Sequence, residues 1–497
     1  MKSKVMVIGL DGATFKILDP MISRGKMPNL AELIKTGTFG ELKSVIPPNS
    51  MAAWASFMSG KKPGKHSIFG FRIPDSSDFY RKRVVHSKVM KSETLWRILS
   101  RNSKKVGVIN VPLTYPPQPV NGFLISGMLT PSTNSTFTYP EELGKKLKEK
   151  IGDYPINLVW KWYKNRVSDL IEDVKKMTTI RKEATLFLLD LYQPDFCIVV
   201  FTGPDRVQHC LWKYIDGTHP EFNAEESKKY MPLIDEFFMM LDSAIGEIRA
   251  RLDEDTVLIL ISDHGFQSAH KQFDVNDWLM THHLLKFRKG KARTLAFLRA
   301  LDIPFIHKLR RQVLRNLSGR RKILSPKSQV SWKNTKAYCA GDQQVGIQVN
   351  LRGREPEGIV SQGEEYEKLR SFIKQALLNT RDPQNNHAVI RDVFYREEYF
   401  NGPFSDLAPD LVFHTYENYA TSPYKKRLYE LTGWASGDHS LEGIFIAHGK
   451  IIQKGKQFFG AEIVDLFPTI LHMLKIGIPI DTDGKVLKGI FQDSFSP

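Results

Sequence analysis

Asp205 and His209, four residues apart, and the adjacent pair Asp263-His264 are the side chains of this 497-residue chain best placed to do chemistry. On a helical turn, positions four apart share a face, so Asp205 and His209 can offer one oxygen and one nitrogen to a single cation. The same spacing is common on solvated helices and says little alone. Asp263-His264-Gly265 follows the apolar run 256–261, and Asp11 follows the run 5–10. Another histidine, His439, lies between glycines in Gly437-Asp438-His439-Ser440-Leu441-Glu442-Gly443, which reads as a loop before a strand. Two Asp–His sets and a third His suit zinc or another borderline divalent metal. Ser50 is the candidate nucleophile. It precedes 51–58, which reads as a helix stopped by Gly60, so Ser50 is expected at the N-cap. A helix N-terminus favours negative charge, both an alkoxide and an arriving phosphate. A metal on the serine oxygen would supply most of its activation.

These residues need elements that bring them together. The runs 5–10, 106–111, 196–201 and 256–261 are short and continuously apolar, which marks strands buried on both faces of a parallel sheet. Helical patterns at 27–34, 95–99, 223–252 and 465–471 alternate with them. That alternation predicts an α/β fold, a mostly parallel sheet with helices on both faces. Ligands in such sheets bind outside the carboxyl ends of the strands, where Asp11, Asp205 and Asp263 all fall. The expected core is 1–281 plus 331–497, with a helix-rich charged insertion at about 139–190. Residues 282–330 are expected to form a basic helical insert or cap.

The hydrophobic fraction of 41% and charged fraction of 25% are those of a globular protein. Cys197, Cys210 and Cys339 are too few for a disulfide framework, which favours a reducing compartment. No run approaches the roughly 18 apolar residues of a membrane span, and the first apolar stretch is too short for a signal peptide. A cytoplasmic location is expected. The net charge is +17, and 286–327 carries fourteen Lys and Arg against Asp302 alone. Three readings fit that span: a solvated cap, an element on an anionic membrane surface, or a nucleic-acid contact. Leu295, Leu298, Ile306, Leu309, Val313 and Leu317 recur at near-helical spacing among the basic residues. They favour a peripheral membrane element over nucleic acid, for which few aromatics such as Phe297 and Phe305 could stack.

Gly9-Leu10-Asp11-Gly12, then Pro47-Pro48-Asn49-Ser50, Phe57-Met58-Ser59-Gly60 and Pro63-Gly64-Lys65-His66 resemble the type I phosphodiesterase/nucleotide pyrophosphatase family of the alkaline phosphatase superfamily. Asp205 to His209, Ser262-Asp263-His264-Gly265 and Gly437-Asp438-His439 follow in that family's order. The resemblance implies an alkaline-phosphatase-like core and two divalent metals, usually zinc, with manganese as the other candidate. It implies Asp11, Ser50, Asp263 and His264 around one metal, and Asp205, His209 and His439 around the other. Ser50 stands where many relatives have threonine, and the resemblance makes it the nucleophile of a phospho-enzyme mechanism. Asn49 and Arg72 are the candidates for substrate contact. Phe71 stands where better-known members place a phosphate-binding asparagine, and Ser67 where glycine is usual, so nucleotide specificity does not carry over. Ser50 lacks the x-Pro-x-Arg that follows a sulfatase nucleophile. The expected activity is metal-dependent hydrolysis of a phosphodiester: a nucleotide, a lipid headgroup or another diester. The rivals are a phosphomonoesterase, a transferase of a phosphoryl-linked group, and a silent membrane- or polyanion-binding protein.

Overall fold

The computed structural model describes residues 4–75, 78–288, 330–339, 346–422, 430–431 and 433–493. Three of the apolar runs become neighbouring parallel strands, with Lys4–Leu10 between Phe196–Phe201 and Thr256–Ile261. Val106–Val111 and Gly122–Ser126 continue the parallel sheet beyond Phe196–Phe201. On the other side Glu442–His448 runs antiparallel between Thr256–Ile261 and Thr38–Lys43. Short pairings by Thr138–Tyr139, Lys456–Gln457 and Ala461–Glu462 complete a ten-stranded sheet. The mostly parallel α/β architecture expected from the sequence is present.

Alternation within each central strand explains why the runs are apolar throughout. Val5 and Val7 enter the core on one face, and Met6, Ile8 and Leu10 enter the core on the other. Phe196, Ile198 and Val200 divide from Cys197, Val199 and Phe201 in the same way. With both faces covered, no position from Val5 to Leu10 or from Phe196 to Phe201 meets water. Each such side chain contributes about 1.5–3 kcal/mol on burial. The helix Ser50–Ser59 packs on the first face through Trp54 and Phe57. The long helices Val167–Tyr192 and Ala224–Arg249 cover the second. Gly9 is required at the sheet centre, because a Cβ there would lie 2.5 Å from the Trp54 ring.

Four strands between 337 and 415 build a second sheet. Its order is Ala337–Cys339, Gly346–Val349, Leu411–Thr415, Ile390–Tyr395, antiparallel throughout. The helix Glu364–Leu378 packs on it, and Trp332, Val349, Ile373 and Leu411 belong to its own apolar cluster. The basic span falls, from 289 to 329, outside the described residues. No described helix is long and apolar enough to cross a membrane.

His66 ties the helix Ser50–Ser59 to the loop that follows it. Its Nδ1 accepts from the Ile68 N–H at 3.1 Å, which leaves Nε2–H to donate to Ser56 Oγ at 2.9 Å. Burial pushes its pKa down to about 3 from 6.5. Between those values the unfolded chain takes up a proton that the folded chain refuses. The neutral ring is therefore fully stabilising above about pH 6.5, and stability is lost progressively as pH falls toward 3. At pH 5 the loss from this one group is about 2 kcal/mol. The Tm is expected to fall between pH 7 and pH 5, and to fall less steeply in His66→Gln. Parallel Tm–pH curves for the two proteins would remove His66 as the cause.

Candidate active site

The ends of three adjacent parallel strands deliver the acidic groups. Asp11 is the first residue after Lys4–Leu10, and its N–H donates to Phe201 O at 3.0 Å. Gly12 then turns with φ +72, and its N–H donates to Asp263 Oδ1 at 3.1 Å. A Cβ at Gly12 would sit 2.7 Å from the Phe266 ring, so no larger residue fits. Asp263 and His264 follow Thr256–Ile261. Ser262 fixes that exit by donating to Ala13 O at 2.9 Å and accepting from the Ile444 N–H at 2.7 Å. Asp205 opens the helix Gly203–Ile215, one turn before His209 on the same face, as the spacing predicts.

Two local expectations are corrected. Asn49, not Ser50, is the N-cap of the helix: its backbone is extended and its side chain accepts from the Ala52 N–H at 3.0 Å. Ser50 is the first helical residue. His439 lies on a strand, Gly437–Ser440, rather than in a loop. This strand pairs antiparallel with Gly265–Asp274, opposite Phe266, so backbone pairing sets the ring's position. The two expected substrate contacts have different settings. Asn49 donates to Pro47 O and Phe69 O at 3.1 and 3.2 Å, so both amide hydrogens are committed to the backbone. Arg72 is exposed on the strand Arg72–Asp75 of a hairpin.

Asp11, Ser50, Asp205, Asp263 and His264 are buried, and His209 and His439 are nearly so. Asp205 Oδ1 lies 3.4 Å from Nε2 of both His209 and His439. His264 Nε2 lies 3.3 Å from Ser50 Oγ, 3.3 Å from Asp263 Oδ2 and 3.9 Å from Asp11 Oδ1. Among the described residues, two groups have ligand atoms within 4.8 Å of one another: Asp205, His209 and His439, and Asp11, Asp205 and His264. Asp205 belongs to both.

The histidine tautomers follow from their second nitrogens. Nδ1 of His439 faces Pro48 O at 3.0 Å, Nδ1 of His264 faces Gly265 O at 3.1 Å, and Nδ1 of His209 faces Gly437 O at 3.4 Å. A carbonyl accepts only, so each Nδ1 carries the hydrogen and each Nε2 turns a lone pair inward. The Nε2 atoms of His209 and His439 then meet 3.2 Å apart. A proton or a cation has to lie among them and Asp205. Both Asp11 oxygens and Asp263 Oδ2 are buried without a hydrogen-bond partner among the described residues. Such orphaned carboxylate oxygens are costly unless something positive meets them. The donor set, carboxylate oxygens with imidazole nitrogens oriented by backbone carbonyls, fits divalent metal ions.

Charge leads to the same conclusion. Burial, then the Asp263 and Asp205 charges, hold the Asp11 carboxyl well above the usual carboxylate range. Burial raises Asp263 as well. Burial opposes ionisation of Asp205 too, but Arg206 and His209 outweigh it and keep its carboxyl well below the usual range. Burial and the neighbouring His439 hold His264 well below the usual imidazole range. For His439 burial is outweighed by Asp205, which draws a proton to it as it would draw a cation.

Three neighbours escape sequence reasoning. Arg206 pairs with Asp205 and donates to Asn157 Oδ1 at 3.0 Å. Arg181, 1% exposed, donates to the carbonyls of Val200, Pro155 and Ile156, and to Thr202 Oγ1. Together the two arginines bind the stretch 155–157 to the strand end that precedes Asp205. Trp160 stacks on His209 at 4.7 Å between centroids. Only the position of Arg206 next to Asp205 was a usable signal. Arg206→Met is expected to weaken binding of a divalent metal by about 10–100-fold, as losing a partner that orients a ligand does. Equilibrium dialysis measures this, and unchanged affinity would show that Asp205 needs no such support.

Residues 5–441 match the profile of the type I phosphodiesterase/nucleotide pyrophosphatase family. The chain belongs to this family. Its fold is shared with phosphonoacetate hydrolase from Sinorhizobium meliloti 1021, solved with phosphonoacetate, at TM-score 0.59 and 16% identity over 95% of each chain. Human ectonucleotide pyrophosphatase/phosphodiesterase 5 superposes at TM-score 0.53 and 14% identity, covering 99% of this chain and 100% of that one. An inactive variant of the murine protein, in complex with AMP, matches at TM-score 0.53 and 13% identity over 99% of this chain and 100% of its own. These relatives share the alkaline-phosphatase-like fold. As a type I phosphodiesterase/nucleotide pyrophosphatase, the chain is a phosphoric ester hydrolase, of a family that generally depends on divalent metals.

Proposed function

We propose that this type I phosphodiesterase hydrolyses phosphate diesters by attack of Ser50 at a site for two divalent cations, zinc or manganese. Asp11, Ser50, Asp263 and His264 would hold one, and Asp205, His209 and His439 the other. One observation supports metal dependence above the rest: two inward-turned imidazole lone pairs meet 3.2 Å apart beside a buried carboxylate. Bound there, such cations would polarise the phosphoryl oxygens and ease ionisation of the serine.

The chain's own residues do the remaining work. Asn49 pins the start of the Ser50–Ser59 helix, so the Ser50 hydroxyl is held at a helix N-terminus. The N–H groups of Ser50 and Met51 have no carbonyl behind them within the helix, that of Ala52 being taken by Asn49, and they favour an arriving phosphate. His264 Nε2 lies 3.3 Å from the hydroxyl, so a cation held by that nitrogen would also lie beside the serine oxygen. Ser50 Oγ then bonds to phosphorus as the bond to the leaving oxygen breaks. The alcohol departs with the proton that the serine gives up. Water next attacks the phosphoserine, the serine oxygen regains a proton, and a phosphate monoester is released. The AMP complex of the murine relative supports a substrate whose phosphate carries a bulky organic group.

The test compares bis(4-nitrophenyl) phosphate with 4-nitrophenyl phosphate, with added zinc, with manganese, and after chelation. The diester is expected to give a kcat/KM at least about tenfold higher, with activity lost on chelation and restored by metal. A preference for the monoester, or transfer to an added alcohol in place of hydrolysis, would overturn the diesterase reading. Activity untouched by chelation would overturn the metal dependence.

A further inference from the structure

A cavity of about 270 Å³ opens between the far end of the Ser50–Ser59 helix, the stretch 87–97 and the loop 113–118. None of the carboxylates and imidazoles described above lines it. Met58, Trp96, Leu113 and Leu124 give it an apolar floor. Three of its hydroxyls are committed to the backbone. Ser87 donates to Pro116 O at 2.7 Å, Ser92 to Lys65 O at 3.3 Å, and Thr114 to Val111 O at 2.6 Å.

Two other polar groups in the wall are not committed. Thr94 Oγ1 and Gln118 Oε1 are buried with no hydrogen-bond partner among the described residues. Thr94 is 6% exposed and stands just before the helix Leu95–Arg101, where a threonine hydroxyl usually accepts a backbone N–H. Here it makes no such bond and remains on the cavity wall. Lys88 and Arg97, both exposed, line the same cavity and make it cationic. Buried polar groups are rarely left unpaired in a folded protein, so these two indicate what is missing. The amide oxygen needs a donor, the hydroxyl can give or take a hydrogen, and the two cations would attract an anion.

We propose that this cavity is a binding site for a small hydroxylated organophosphate of the sugar- or polyol-phosphate class. Its hydroxyls meet Gln118 Oε1 and Thr94 Oγ1, its phosphate meets Lys88 and Arg97, and its carbon skeleton lies on the apolar floor. The inference does not depend on the reaction proposed above. The site is nevertheless close to the catalytic cluster in contacts. Thr114 Oγ1 accepts from the Gly127 N–H at 3.0 Å, and the next residue, Met128, touches Arg206 through its sulfur at 3.8 Å.

Titration calorimetry of the full chain tests this with ribose 5-phosphate and glycerol 3-phosphate, against ribose and inorganic phosphate alone. It is run on wild type, on His439→Ala to disable the catalytic site, and on the double variant Lys88→Gln with Arg97→Gln. The double variant alters exposed side chains only and should fold and hydrolyse a small soluble diester normally. At least one sugar phosphate is expected to bind wild type and His439→Ala alike, and to bind the double variant and Gln118→Leu at least about tenfold more weakly. Ribose and inorganic phosphate should each bind more weakly than the joined molecule. Binding lost in His439→Ala but kept in the double variant would place the anion in the catalytic site and overturn the proposal. Absence of binding by either sugar phosphate, as for a cavity filled by water only, would overturn it too.

Discussion

Ser50→Ala is expected to lower kcat by roughly four orders of magnitude, about 5.5 kcal/mol of transition-state stabilisation. The change removes one oxygen from a buried cluster whose other members come from four separate segments. Metal content should therefore stay close to that of wild type, and the fold with it, because the helix is capped by Asn49 and not by Ser50. Ser50→Thr should keep a substantial part of the activity, since the hydroxyl is retained and the first turn of a helix tolerates a β-branched residue. Steady-state kinetics on a chromogenic diester, with metal analysis of the same samples, measures both. A Ser50→Ala protein with a tenth of wild-type activity would show that a solvent-derived nucleophile attacks directly.

Metal removal should have an effect of similar size. Purified protein is expected to carry close to two divalent ions per chain. His264→Ala and His439→Ala should each empty a different site, because their rings serve different groups of ligands. Asp205→Asn should lower occupancy of both, since its carboxylate belongs to both groups. Every one of these variants should lose most of the diesterase activity. Chelation should also lower the Tm, because an ion that binds only the folded chain stabilises it by mass action, by about 2.7 kcal/mol at a hundredfold excess over Kd. Metal analysis of the three variants by mass spectrometry, beside their melting curves, is the check. Two full equivalents in His439→Ala would discard the ligand assignment.

The parts of the site legible in the sequence were those fixed by local rules. Asp11 and Asp263-His264 stand at the ends of runs such as 5–10 and 256–261, whose unbroken apolarity marks strands covered on both faces. Their position at the carboxyl edge follows from that alone. Asp205 and His209 are four apart, which becomes one face as soon as the segment is helical. Tertiary pairing decided the rest. The stretch around His439 is short and polar, and becomes a strand only because Gly265–Asp274 lies beside it. Asn49 and Ser50 are both good caps, and the extended backbone at Asn49 chose between them. Arg181 and Trp160 reach the site from a segment with no periodic link to it. The strands of the second sheet, such as Ala337–Cys339 and Gly346–Val349, are too brief to show alternation above background.

The strand Glu442–His448 has a consequence for biosynthesis. It is made after both of its neighbours, yet it lies inside the main sheet between them: Thr38–Lys43 leaves the ribosome about 400 residues earlier and Thr256–Ile261 about 180. Until it arrives, Thr38–Lys43 and Thr256–Ile261 have open edges lined with unpaired amides and carbonyls, the kind of surface that templates aggregation. His439 is synthesised just before the same strand. The nascent chain therefore cannot bring His439 to the Asp–His cluster until that residue has been translated, and closing its sheet waits on a contact of very large sequence separation, which slows folding. A holding chaperone that shields those two edges is the help this topology calls for.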